Sequence, residues 1–159
     1  MKSIIITVIA VLFATTTFAQ VSSEDLAVYQ AKLQKQKAEL VKKNIKLSQA
    51  QSQVFWPLYE TYESKELTIS NARAAIINDY LKQYDTLTDV EAAKLADRTF
   101  SNDHDFTNLQ KSYFKKFTDA IGGVNALKFY QLENYVREIV RLRIQDEIPF
   151  IGEINNKKK

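Results

Sequence analysis

Apolar residues recur every three to four positions along most of this chain, the period of an amphipathic helix. From about Ser22 to Lys46 the stripe is Leu26, Tyr29, Leu33, Leu40 and Ile45. From about Ser48 to Tyr84 it is Phe55, Leu58, Tyr59, Tyr62, Ile69, Ala72, Ile76, Tyr80 and Tyr84. From about Thr88 to Ile121 it is Ala92, Leu95, Thr99, Phe106, Tyr113 and Phe117. A fourth stripe, from about Val124 to Ile148, joins Phe129, Leu132, Val136, Ile139, Val140 and Arg143. The pattern predicts an all-α fold of four helices, two of them long. At the usual rise the second would measure roughly 50 Å. Long amphipathic helices with short links predict elongated antiparallel hairpins.

Punctuation supports these bounds. Ser22 can cap the first helix, with Val21 and Leu26 clasped across the cap. Leu47-Ser48-Gln49-Ala50-Gln51 opens the second helix and Leu87-Thr88-Asp89-Val90-Glu91 the third. Each is a leucine, a hydroxyl cap and, three residues on, a Gln or Glu that can return to the cap amide. Pro57 lies inside the second helix and predicts a kink, because it lacks an N–H and crowds the preceding turn. The polar run 101–105 weakens the third stripe and predicts a bend or fraying there. Gly122-Gly123 ends that helix, since glycine takes a left-handed cap without strain, and Pro149 closes the fourth.

The first residues follow a different rule. Lys2 precedes the unbroken apolar run Ile4 to Ala14, and Thr17-Phe18-Ala19 ends on a small residue. That is the layout of a cleavable secretory signal, so residues 1–19 are read as a signal peptide. The run is too short to span a bilayer, which takes roughly 20 apolar residues. Residues 20–151 then form one helical domain, and 152–159 a disordered polar tail. The chain has no cysteine, hence no site for a lipid anchor and no disulfide. The expected product is soluble and periplasmic.

Composition narrows the function by exclusion. Three glycines and two prolines are too few for the turns of an all-β domain. A net charge of +3 is too small for a nucleic-acid binder. The lysines of the first helix read as a solvated face. Along the fourth helix, Glu133 with Arg137 and Arg143 with Glu147 are helpful pairs four apart, while Arg137 with Arg141 repels. His104 is the only histidine, and its neighbours Asp103 and Asp105 point to other sides of a helix, so no metal site is expected. One histidine without a nucleophile elbow, and no glycine-rich phosphate loop, give no catalytic set. The reading is a non-enzyme without cofactor.

The two helix starts resemble the LTxxQ motif of the Spy/CpxP family of small periplasmic helical proteins. The run Val54-Phe55-Trp56-Pro57-Leu58-Tyr59-Glu60-Thr61-Tyr62 is similar to the FWPxYxxY stretch of a subgroup, and Ala126 to Asn134 to its last-helix signature. The likeness covers roughly residues 40–150. It departs at Ser48, where the motif has Thr, and at Glu91, where it has Gln; both swaps keep the capping chemistry. The resemblance implies a cradle-shaped homodimer that acts as an ATP-independent chaperone or envelope-stress sensor for unfolded envelope proteins. It equally implies a regulatory partner of a membrane-bound kinase or of an anti-sigma factor in an extracytoplasmic sigma-factor system. Aromatic clusters are core by default. In a thin dimer, though, some of Phe55, Trp56, Tyr59 and Tyr62 would face a client or the second copy, beside the basic Arg137 and Arg141. Those six residues are the candidate binding surface.

Overall fold

The computed structural model describes residues 23–149. The signal-peptide segment 1–19, the cap at Ser22 with its Val21 clasp, and the tail 152–159 lie outside them. Four helices account for nearly all of the described chain: α1 Ser23–Asn44, α2 Gln49–Gln83, α3 Asp89–Ile121 and α4 Gly123–Glu147. A single 3-10 turn, Tyr84–Thr86, follows α2, and the described residues contain no strand. The protein is all-α, with α2 and α3 the long elements. None of its described helices is long and apolar enough to cross a membrane. Among the described residues, those up to Gln36 form one unit and those from Lys37 onward a second, to which everything below refers.

The capping chemistry sets the helix starts. Ser48 is extended (φ −67°, ψ 167°) and its hydroxyl accepts the Gln51 N–H, while Gln51 Oε1 accepts the Ser48 N–H at 3.0 Å. The second start keeps the hydroxyl half: Thr88 Oγ1 accepts the Glu91 N–H at 3.3 Å, and the Glu91 carboxylate turns to Lys94 at 2.7 Å. Helix α2 runs unbroken through Pro57. Helix α3 runs unbroken through the polar stretch 101–105, so the helix does not fray there. Two of those polar residues are tied to neighbours. Asn102 is buried and donates to Ile69 O of α2 at 2.8 Å, and Asp103 receives two arginines.

The α3–α4 junction is one residue long. Gly122 closes α3 by donating its N–H to Thr118 O, and Gly123 already belongs to α4. Gly122 has φ +82° with ψ 152°, an extended positive-φ conformation that is essentially reserved for glycine, rather than the compact left-handed cap expected from the pair.

The core is an aromatic cluster shared by α2, α3 and α4. Phe55, Tyr59 and Tyr62 of α2 meet Tyr113 and Phe117 of α3 and Phe129 of α4. The Phe117 and Phe129 centroids are 4.5 Å apart, and Phe129 also stands edge-on to Phe55 at 5.6 Å and to Tyr62 at 5.8 Å. Tilted and edge-on pairs of this kind add about 0.5–1.5 kcal/mol each beyond the area they bury. Val41 and Ile45 bring the end of α1 onto the cluster. At the end of α1 the buried residues are Lys37 and Val41, followed by the expected Ile45 just past the helix; Val41 stands one position off the expected Leu40, which is only half-buried.

Candidate functional site

The residues expected at a binding surface are mostly interior. Phe55, Tyr59 and Tyr62 are buried in the chain's own core. Trp56 is half-buried, edge-on to Phe55 at 5.0 Å and to Tyr59 at 5.4 Å, with the Lys42 ammonium 5.0 Å from its ring centre. Arg137 and Arg141 are half-buried and engaged. Arg137 lies over the Phe106 ring at 4.2 Å and donates to Asn134 Oδ1 at 3.1 Å. Arg141 reaches Asp103 Oδ1 at 3.1 Å. The expected Glu133–Arg137 pair is not made: Arg137 lies 3.5 Å from Glu138, and Glu133 turns inward to Lys37. His104 is exposed, with Asn108 Nδ2 3.1 Å from Nδ1 of its ring. Among the capping residues, Leu47 packs against the core and Leu87 is half-buried.

Below the aromatic cluster lies a group of charges the pattern did not announce. Lys37 of α1 is buried, and its ammonium sits 2.7 Å from Glu63, 2.9 Å from Glu133 and in contact with Glu66. The signal was present but ambiguous. Lys37 falls where the α1 stripe skips from Leu33 to Leu40, and each carboxylate follows a core aromatic by four residues (Tyr59, Tyr62 and Phe129). A charge at a stripe position reads as solvated until a partner is visible.

One ammonium faces three carboxylates, and the surplus negative charge shows in the proton equilibria. Burial pushes the Glu63 carboxyl up to about 8 and the Glu133 carboxyl up to about 7. Lys37 pulls both down, but not far enough to restore ordinary acidity, and neighbouring carboxylates push them up further. Burial alone would lower Lys37. The three acids, Glu133 foremost, outweigh it and hold the ammonium well above its usual value. The Tyr59 and Tyr62 hydroxyls are held protonated, mainly by burial and then by the same carboxylates.

The cluster can therefore take up and release protons near neutrality. The cavity beside Glu133, Tyr62 and Gln110 is about 10 Å³, space for about one water. Oxygens of Glu63, Glu66 and Glu133 lie within 4.8 Å of one another, a spacing a hard cation could bridge. Lys37 already supplies the positive charge there.

Exposed apolar residues lie elsewhere: Val54 on α2, Val90 and Phe100 on α3, and a larger set on the outer side of α4. Val124, Leu127, Tyr135 and Leu142 are 72%, 48%, 46% and 61% exposed. Tyr135 and Leu142 follow Val124 by about three and about five turns, so these residues form one outward stripe, opposite in sense to the buried Ala126, Phe129 and Val136. Tyr130 extends it toward α3, where its ring stands edge-on to the exposed Phe114 at 6.1 Å. Helix α4 thus buries one apolar face and carries exposed apolar residues among polar ones on the other, which no described residue covers. Reading a single stripe per helix conceals the second. The chain matches no family model, no curated protein and no solved structure.

Proposed function

We propose that this protein is an exported binding protein of the Spy/CpxP kind, which holds apolar segments of unfolded envelope proteins without nucleotide or metal. The observation that carries this reading is the stripe Val124, Leu127, Tyr135 and Leu142 on α4, exposed among the described residues. Large apolar side chains aligned over five turns of one helix mark a surface made for a partner rather than for water. The stripe is interrupted by Gln131 and Glu138, and a mixed surface of that kind suits weak contacts with many sequences. The residues expected to do this work, around Phe55 and Tyr62, support it indirectly: they hold α4 in place from the inside. The resemblance in the helix starts and the signal-like residues 1–19 support an exported chaperone or envelope-stress sensor.

The test is light scattering of a client aggregating on dilution from denaturant, with the purified protein in several-fold excess. Suppression is expected, and it should be lost in the double variant Leu127→Ser, Leu142→Ser, whose sites are exposed and whose fold should be intact by circular dichroism. Absence of suppression by the wild type would reject the chaperone function. Sedimentation at the same concentrations separates client capture from use of the stripe to pair two copies.

A further inference from the structure

Among the described residues, the end of the helical unit away from the aromatic cluster holds an open groove of about 280 Å³. Ile76, Ile77 and Tyr80 of α2, Leu95 of α3, and Ile144 and Ile148 at the end of α4 form its walls. Its head is charged. Arg73 stands one turn before Ile76, and Arg141 one turn before Ile144, so the two guanidiniums arrive at the same level. Both converge on one oxygen, Asp103 Oδ1, at 2.5 and 3.1 Å. Two cations sharing one carboxylate leave one positive charge in excess. The nearby Arg98–Asp79 pair, at 2.8 Å, is internally balanced.

We propose that this groove binds a medium-chain fatty acid, with its carboxylate on Arg73 and Arg141 and its alkyl chain along the isoleucine wall. The charge selects a monoanion, and a planar carboxylate suits a guanidinium fork. The length selects the chain. From Arg73 to Tyr80 the wall runs about 10 Å, the reach of an extended chain of roughly eight to ten carbons. A peptide fits less well. It would bring a donor and an acceptor at every residue against a wall whose polar side chains, beyond the two arginines, are Thr99, Gln145 and the Tyr80 hydroxyl. This site is separate from the outer stripe of α4 and does not depend on what that stripe binds.

Calorimetry of the purified protein with decanoate, decan-1-ol and decyltrimethylammonium, each below its micelle concentration, tests the assignment. Saturable one-to-one binding of decanoate is expected, at least ten-fold tighter than decanol, with no binding of the cation. Arg141→Gln should lower decanoate affinity at least ten-fold toward that of the alcohol. Ala96→Trp, at an exposed position on the rim, should block both ligands while leaving the helical circular dichroism unchanged. Equal affinity for acid and alcohol, undiminished binding by the Ala96→Trp protein, or no decanoate binding would each overturn the proposal.

Discussion

Gln51 shows why two matching motifs are not equivalent. As the third residue of α2 it returns Oε1 to the Ser48 N–H, which Gln and Glu do equally well. Its Nε2 meanwhile donates to Ile121 O at 3.1 Å, seventy residues away at the end of α3. Only an amide can accept at one end and donate at the other. Glu91, at the matching place in α3, turns to Lys94, and there a carboxylate suffices. Gln51→Glu should therefore destabilise the protein by about 1–2 kcal/mol, from the lost bond and from a negative charge beside the negative end of α3. Glu91→Gln should change stability by less than about 0.5 kcal/mol, as surface substitutions do. Urea midpoints of the two variants check this, and equal shifts would refute the bridging role. The capping half of Gln51 was legible in the sequence because it is local. The bridging half was not, because nothing in a five-residue motif reveals which carbonyl folds against it.

At the scale of elements, helix existence and ends were legible, and register was legible only in part. Caps and glycines act within a few residues, so the starts at Ser48 and Thr88 and the stop near Ile121 follow from local chemistry. What each helix buries depends on its neighbours. Lys37, Glu63 and Glu133 are interior because they meet one another, and Asn102 because it finds Ile69 O. The paired glycines are a sharper case, since they look interchangeable in sequence and occupy different elements. A side chain on Gly122 would meet no atom within 4 Å, but φ +82° strains any residue with a Cβ. Gly123 sits in the first turn of α4, also in open space, where alanine is the better helix former. Gly122→Ala should cost about 1–3 kcal/mol. Gly123→Ala should be neutral or stabilising by up to about 1 kcal/mol. Thermal melts of the two single variants distinguish them, and a destabilised Gly123→Ala with an unaffected Gly122→Ala would contradict the junction described here.

For the molecule as a whole, the buried charges tie α1, α2 and α4 to the proton concentration. In the folded state Glu63 and Glu133 hold protons up to about pH 8 and 7, whereas in the unfolded chain they release them near 4.5. Between those values the folded state binds more protons, so its stability falls as pH rises. Their contribution is fully present below about 4.5 and is lost progressively as pH climbs through 7 and 8. Lys37 lowers both acids only in part, and its own titration, raised well above 10.5, leaves the window from 5 to 9 to the carboxylates. Tyr59 and Tyr62, also held protonated, add their loss only at more alkaline pH. The expected profile is a decline of a few kcal/mol in unfolding free energy from pH 5 to pH 9. Two sites that share one ammonium titrate as a set, so the decline should be broad rather than two steps. Glu133→Gln keeps the shape of the side chain and removes one titration, so it should flatten the lower part of the profile. Urea unfolding of both proteins at unit intervals of pH and constant ionic strength provides the measurement. Stability that rises from pH 6 to 9, or a Glu133→Gln profile as steep as the wild type, would mean that these carboxylates ionise freely and that the cluster is not sealed.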